Sequence, residues 1–351
     1  MSSSDNITSL VNVFERVKEE LKASPKTWLV TGNAGFIGSN LTEFLLVHGQ
    51  RVVGLDNFST GYRHNIEDVL AQVGETAAGR FHFIEGDITD FETCLQACDG
   101  VDIVLHQAAL GSVPRSIANP ITSNHSNITG FLNMITAAKE AGIKRFVFAS
   151  SSSVYGDSKA LPKVESCTGR LLSPYAVTKQ TSELYGAVFE KVYGMETVGL
   201  RYFNVFGRRQ DPEGAYAAVI PKWVAAMLKG EQIYINGDGE TSRDFTYIDN
   251  VIQMNILAGL TENREVFGEV FNVAFGGRNT LNELYTLIKE HLVKRYTIET
   301  APIYRDFRPG DIRHSNADIS KAKKMVGYAP THNIYQGMEE AIAWYVEKCS
   351  R

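Results

Sequence analysis

The sequence is poor in cysteine, has no excess of basic charge, and contains no long apolar run and no internal repeat or low-complexity tract. Its 351 residues hold four cysteines, Cys94, Cys98, Cys167 and Cys349. None has the paired spacing of a metal knuckle. So few thiols indicate a reduced, cytosolic inventory rather than a disulfide framework. Cys94 and Cys98 sit one helical turn apart and read as packing residues. The histidines His82, His106 and His125 are scattered, without metal geometry. A formal net charge of −5 leaves no basic field for nucleic acid, although local basic residues can still meet a phosphate. No apolar segment approaches the about 20 residues that span a bilayer. Met1 to Leu10 lacks a basic stretch followed by an apolar core, so no secretory signal is expected. These absences point to a cytoplasmic protein without nucleic-acid or membrane partners.

What is present fills a core: 44% of the residues are hydrophobic, and the length suits one large lobe plus a smaller one. Residues 5 to 23 read as an amphipathic helix, with Ile7, Leu10, Val11, Phe14, Val17 and Leu21 at helical spacing and Asp5 as its N-cap. This extension is expected to pack on the surface of the domain that follows. Strand and helix signals then alternate. Strands are expected at Thr27–Val30, Arg51–Leu55, Phe81–Ile84, Val101–Leu105, Arg145–Ala149 and Glu196–Leu200, with a helix from Phe36 to His48. Alternation of this kind requires right-handed crossovers between parallel strands, hence an α/β, Rossmann-type doubly wound sheet. After Phe206 the rhythm breaks. Residues 207–247 are rich in turn-formers such as Gly237-Asp238-Gly239, and alternation partly returns at Asn250–Leu260 and Phe271–Ala274. Apolar helices are expected at Leu281–Leu292 and Met338–Val346. The division expected is a helical extension (1–25), a nucleotide-binding domain (26–206) and a smaller C-terminal substrate lobe (207–351) with crossings back.

Two motifs carry chemistry. Gly32, Gly35 and Gly38 run directly from a strand into a helix. Glycines permit a tight turn and a close backbone approach to a pyrophosphate, and the helix N-terminus supplies free N–H groups and a favourable dipole. Phe36 and Ile37 complete this loop. Asp56 ends the second strand, where a carboxylate accepts from an adenosine ribose hydroxyl and repels a 2′-phosphate, favouring NAD over NADP. The other reading of Asp56 is a cap for Asn57-Phe58-Ser59-Thr60-Gly61, whose Asn57, Ser59, Thr60 and Gly61 are also candidate cofactor contacts. Asp87 and Ile88 follow the third strand, where adenine would lie. Gln107 follows the fourth, with the small Ala108 and Ala109 beside it.

The second motif is Tyr175-Ala176-Val177-Thr178-Lys179, preceded by the run Ser150 to Ser153. On a helix Tyr175 and Lys179 share one face. A lysine cation beside a phenol favours the phenolate and lowers a pKa that starts near 10. The result is a base able to take a proton from an alcohol while hydride leaves the same carbon, with a serine hydroxyl on the developing carbonyl.

Together these motifs resemble the extended short-chain dehydrogenase/reductase superfamily over roughly residues 26–346. Within it the chain resembles the nucleotide-sugar 4-epimerases through Asp56–Gly61, Leu200–Gly207, Gly237-Asp238-Gly239 with Arg243-Asp244-Phe245, and Arg308-Pro309-Gly310-Asp311. The phrases Ala109–Ser116 and Arg208–Pro212 through Ala215–Trp223 are similar to the UDP-N-acetylglucosamine 4-epimerase group. The resemblance implies Tyr175 as base, Lys179 as its electrostatic partner and a nicotinamide-ribose ligand, and Ser151 on the sugar O4, with Ser152 and Ser153 as helpers. It implies Asn204 on the substrate phosphate or sugar, Arg243 and Arg308 on the pyrophosphate and Asp311 on the uridine ribose. Val219, Lys222 and Tyr234 are further substrate contacts. Gly111, Ser112, Gln210, Ala218 and Ser315 would line the sugar pocket. In the family a bulky tyrosine at the position of Ser315 narrows that pocket, so serine leaves room for a 2-N-acetyl group.

The expected activity is thus reversible C4 epimerisation of UDP-N-acetylglucosamine and UDP-N-acetylgalactosamine through a 4-keto sugar on tightly held NAD. Rival substrates are UDP-N-acetylhexosaminuronic acids, with Arg115 or Arg209 on the carboxylate, and UDP-glucose. A 4,6-dehydratase needs an acid–base pair where this chain has Ser152 and Ser153. A non-catalytic NAD-binding regulator would be expected to lack Tyr175 or Lys179. The resemblance also implies a homodimer through two helices per subunit, here Ile117–Glu140 and Tyr175–Tyr193.

Overall fold

The computed structural model describes residues 3–213, 217–299, 301–307 and 312–350, with side chains of the first helix described from Val13 onward. Seven parallel strands form the central sheet: β1 (Thr27–Thr31), β2 (Arg51–Asp56), β3 (Phe81–Glu85), β4 (Ile103–His106), β5 (Arg145–Ser151), β6 (Glu196–Tyr202) and β7 (Glu269–Val273). Their order is β7-β6-β5-β4-β1-β2-β3. Trp28, Leu29, Val30, Val104, Leu105, Phe146 and Val147 are fully buried, because helices cover both faces of an all-parallel sheet. One apolar cluster joins Trp28, Val30, Leu105 and Val147 to Ile248, Met254 and Ile256 on one face. The other joins Leu29, Val104 and Phe146 to Phe131, Met134 and Ile135. Cys94 and Cys98 are buried in the second cluster. The connections reverse direction between β1 and β4, and the loops leaving the carboxyl ends of these strands part there. In an open α/β sheet such a divergence makes a crevice.

Several sequence expectations shift in position. The first helix spans Ser3–Ala23, so Asp5 lies inside it rather than at its cap. Its C-terminal half is docked: Val17 and Leu21 are buried, Phe14 stacks on Phe44, and Gln50 Nε2 donates to Leu21 O at 2.7 Å. The single helix expected over Ile117–Glu140 is broken into Val113–Ala118, Pro120–Asn124, a wide turn at His125–Thr129, and Gly130–Glu140. Pro120 cannot donate to the preceding turn, and Asn119 caps the new helix through Thr122 N. Residues 207–247, expected to be turns, also contain the helix Val219–Lys229.

The region after Phe206 contributes β7 to the main sheet and the buried helix Ile248–Leu260 beneath it. It also forms three two-stranded pieces: Val205–Phe206 with Thr246–Tyr247, Ser242–Arg243 with Asn279–Thr280, and Tyr234–Asn236 with Ile303–Arg305. Buried Asp244 holds these loops together by accepting from Phe275 N, Gly276 N and Ala317 N at 3.1–3.3 Å. Burial pushes its carboxyl up to about 7 against the pull of those N–H groups.

Candidate active site

The crevice is a cavity of about 580 Å³ lined by the loops after β1, β2, β3 and β4, with Gln210, Asp211, Ala217 and Ala218 from the C-terminal lobe. Its floor is the glycine turn. Gly32 adopts φ +69°, and a Cβ there would lie 2.8 Å from Ala108 N; a Cβ on Gly38 would lie 2.2 Å from Gly32 O. The helix Phe36–Val47 therefore starts hard against β1. Its N-cap, Gly35, offers no side-chain acceptor, and no acidic residue occupies its first turn. An uncapped, positively polarised helix end facing a cavity is a fitting seat for a diphosphate.

Asp56 stands at the end of β2. Its Oδ2 accepts from Ala34 N at 2.9 Å and its Oδ1 from Phe58 N at 2.8 Å, so the carboxylate organises both loops around it. Burial raises its pKa, and the backbone N–H groups oppose that shift. Each oxygen keeps a lone pair for a hydroxyl donor. The structure shows the capping reading of Asp56, and the side chain also lines the cavity. Asn57, Ser59, Thr60, Gly61, Asp87, Ile88 and Gln107 all line the same cavity, as do Phe36 and Ile37. Asn57 Nδ2 bonds Asp87 Oδ2 at 2.7 Å, and Gln107 is held by Asn255 and Tyr202.

Tyr175 and Lys179 occupy the first turns of the helix Pro174–Tyr193, capped by Ser173 through Ala176 N. Tyr175 N donates to Ser116 Oγ at 3.0 Å, which places the tyrosine next to the cavity-lining segment Gly111 to Arg115. Lys179 is buried, its Nζ donating to Ala149 O at 2.8 Å and lying 6.0 Å from the Tyr175 ring centroid. The expected lowering of the phenol by the lysine is not what the protein alone produces. Burial raises Tyr175, and the hydrogen bond from Ser151 opposes that rise. Burial also pushes Lys179 down to about 8, with Glu183 opposing. Low-dielectric surroundings disfavour both charged forms at once. Of the serine run, Ser151 is the one whose hydroxyl acts on the Tyr175 phenol; its Oγ accepts from Ser153 N at 3.1 Å. Ser152 and Ser153 open a 3₁₀ turn, and Ser153 Oγ is buried without a partner among the described residues.

The remaining substrate candidates fall into three groups. Gly111, Ser112, Gln210 and Ala218 line the cavity, and Val219 follows Ala218 at the start of a helix. Arg243 and Ser315 are brought together, since Ser315 N bonds Ser242 O at 3.1 Å; Arg243 Nη1 donates to Ser242 O at 2.9 Å. Asn204 turns its amide to Asp244 O at 3.2 Å with φ +32°. Lys222 and Tyr234 are exposed outside the cavity walls, Tyr234 under the Arg305 guanidinium at 3.1 Å. Arg308 and Asp311 lie outside the described residues.

Arg209, a sequence candidate for a substrate carboxylate, is instead engaged in ion pairs inside the protein and does not line the cavity, and the Tyr62–Asp211 bridge had no sequence signal. Arg209, at φ +66°, is buried and pairs with Glu43 and with Asp68 at 2.6 Å. Tyr62 OH donates to Asp211 Oδ2 at 2.5 Å, and both line the cavity. That bond pushes the Tyr62 phenol up to about 12. Partners so far apart in the chain leave no local pattern.

This fold and site define a nucleotide-dependent α/β enzyme with a tyrosine–lysine–serine centre, and comparison with known proteins gives its family. Residues 28–274 match the model of the NAD dependent epimerase/dehydratase family. A putative UDP-glucose 4-epimerase of Methanocaldococcus jannaschii is 34% identical over 90% of this chain and 97% of its own length. The structure of a UDP-N-acetylglucosamine 4-epimerase from Methanobrevibacter ruminantium, in complex with UDP-N-acetylmuramic acid, is 38% identical with a TM-score of 0.83, covering 93% of this chain and 99% of that one. The UDP-glucuronic acid 4-epimerase of Bacillus cereus, bound to UDP-glucuronic acid and NAD, is 30% identical with a TM-score of 0.81, covering 92% and 99%. The chain belongs to the NAD dependent epimerase/dehydratase family of extended short-chain dehydrogenase/reductases. Its cofactor is NAD.

Proposed function

We propose that the chain is an NAD-dependent UDP-sugar 4-epimerase whose substrates are UDP-N-acetylglucosamine and UDP-N-acetylgalactosamine. The observation that carries the reading is the Ser151–Tyr175–Lys179 constellation at the end of β5, beside a cavity floored by an uncapped helix end. In this reading the diphosphate of NAD rests on the N-terminus of Phe36–Val47, and Asp56 receives the adenosine ribose. Bound NAD supplies a reversible hydride acceptor for the sugar C4. Tyr175 takes the O4 proton and later returns it. Ser151 donates to the oxygen as it becomes a carbonyl, and the charge of Lys179 favours the phenolate. Arg243, Arg308 and Asp311 would clamp the UDP end while the keto sugar turns, so that its opposite face meets the same hydride carrier.

The preference for N-acetylated sugars rests on Ser315, small and half-buried beside Ser242 and Arg243. A second reading, UDP-hexosaminuronic or hexuronic acids, is favoured by Arg115, which lines the cavity next to Ser112. Purified protein without added cofactor is incubated with UDP-N-acetylglucosamine, UDP-glucose and UDP-glucuronic acid, and the products are separated by anion exchange. Fast conversion of the acetylated sugar and slow conversion of UDP-glucose is expected, with Ser315→Tyr reversing that order. Preference for the uronate would move the reading to the second substrate class, and no conversion of any sugar would overturn it.

The same reading includes a homodimer. Val177, Leu184, Val188 and Val192 form an exposed apolar stripe on the helix whose other face buries Lys179. Ile117 and Ile121, on the two short helices packed beside it, extend the stripe. Light scattering should give twice the chain mass, and Leu184→Glu with Val188→Glu should give monomers.

A further inference from the structure

Strand β5 ends in three successive residues, Ala149, Ser150 and Ser151, and each is met by a different turn of the active-site helix. Lys179 Nζ donates to Ala149 O at 2.8 Å, Ser150 Oγ donates to Glu183 Oε1 at 2.5 Å, and the Ser151 hydroxyl lies close enough to the Tyr175 phenol to lower its pKa. Tyr175, Lys179 and Glu183 are spaced four residues apart, so one helix face carries all three. Like Ser151, Tyr175 and Lys179, Glu183 and Ser150 are not among the residues lining the cavity, and neither has a role in the reaction described above.

Glu183 is fixed from behind. Arg201 of β6 donates to its Oε1 through Nε and to its Oε2 through Nη2, both at 2.8 Å, and the two side chains are only 9% and 5% exposed. Arg201 Nη1 also donates to Glu165 O at 2.9 Å, and its guanidinium lies 4.9 Å from the Tyr155 ring. Glu165 in turn accepts from Asn272 N of β7, and Tyr155 OH donates to Asn272 Oδ1 at 2.6 Å. A buried ion pair gains little net stability over an apolar pair of the same volume, and its best-attested use is to fix a register. Here a bidentate arginine holds the one carboxylate that grips the strand end bearing the serine.

We propose that Glu183 is a positioning residue for the epimerase reaction: it locks the active-site helix in register with the end of β5, which aligns Ser151 with Tyr175, and its carboxylate supports the charge of Lys179 one turn away. The inference rests on the epimerase reading above. The charged and titratable groups around Lys179 are Tyr175 and Glu183 on its own helix, His106 on β4, and Arg201 on β6 through Glu183. His106 is buried and pushed down to about 3 by burial and by Lys179, so it is neutral. Burial lowers Lys179 and Glu183 opposes that shift, so loss of the carboxylate charge moves the lysine further down.

The test compares Ser150→Ala, Glu183→Gln and Glu183→Asp with the wild type, each purified with its own NAD. Steady-state kcat and KM on the best of the three UDP-sugars, kcat against pH, and Tm are measured. Glu183→Gln should lose roughly 10- to 100-fold in kcat, the range a sub-ångström misplacement brings. Its KM should stay within about twofold, and its alkaline limb should move to lower pH. Ser150→Ala should lose less in kcat with no movement of the limb, and Glu183→Asp should restore the limb. A fall in Tm with wild-type kcat and an unmoved limb in Glu183→Gln would overturn the proposal. If Glu183→Gln does not fold, Ser150→Ala decides: wild-type kcat overturns the register lock, and a lower kcat at unchanged Tm supports it. A wild type inactive on all three sugars would instead sink the epimerase reading, which these variants do not touch.

Discussion

The two walls of the cavity are built on different principles. In the proposed reading the NAD side is backbone: a glycine turn, a bare helix end, and a loop arranged around Asp56, all within residues 31–61. The side assigned to the substrate in that reading is assembled from far-apart pieces: Gln210, Asp211, Ala217 and Ala218 line the cavity, and Asp244, outside the lining, joins residues 204, 275, 276 and 317. Backbone geometry of the first kind can serve many substrates unchanged. Specificity sits in the second wall, where single side chains such as Ser315 and Arg115 face the sugar in the proposed reading. Relatives named for UDP-glucose, UDP-glucuronic acid and UDP-N-acetylglucosamine match this chain at 30–38% identity over most of its length and differ in the sugar named.

Substitutions test that division. Tyr175→Phe belongs to neither wall and should separate chemistry from binding. Turnover should fall roughly 10³-fold, within the 10²–10⁴ range of general acid–base catalysis, while the ultraviolet spectrum still shows bound NAD. Wild-type turnover would remove Tyr175 from its role. Gly38→Ala attacks the NAD wall: its Cβ cannot fit 2.2 Å from Gly32 O. The protein should purify without NAD, with activity restored partly by excess cofactor. Retention of NAD would show that the helix start is softer than its packing implies.

Asp244→Ala attacks the other wall. It leaves several backbone N–H groups buried without an acceptor, at about 1–3 kcal/mol each. A lower Tm and a raised substrate KM are expected, with NAD retained; loss of NAD would mean that the walls are not independent. The pH profile sharpens the comparison at the boundary. Lys179, held near 8 by burial, loses its charge as pH rises through that value. The rate should therefore fall on the alkaline side of about pH 8, and Lys179→Met should abolish that limb along with most activity. The smallest effect is expected from Tyr62→Phe, which removes the Tyr62–Asp211 bridge across the cavity mouth. Exchange of bound NAD with labelled NAD should speed up a few-fold, with kcat little changed; an unchanged exchange rate would remove the bridge from cofactor retention.

The sequence by itself was enough for the strand–helix alternation, the glycine turn, the acidic end of β2 and the shared face of Tyr175 and Lys179. Each depends on neighbours within one or two elements, where periodicity and backbone sterics act directly. Glu183 was legible in the same way, one more turn along the same face, but its meaning required β5 and β6 alongside it. Only the tertiary structure decided which serine acts on Tyr175, that Asp244 ties residues 275, 276 and 317 together, and that Arg209 and Tyr62 bridge segments far apart in the chain. It also buries the tyrosine, which raises its phenol in the protein alone. A lysine four residues away on a helix is a local fact, whereas the burial that outweighs it is set by every segment packed around the pair.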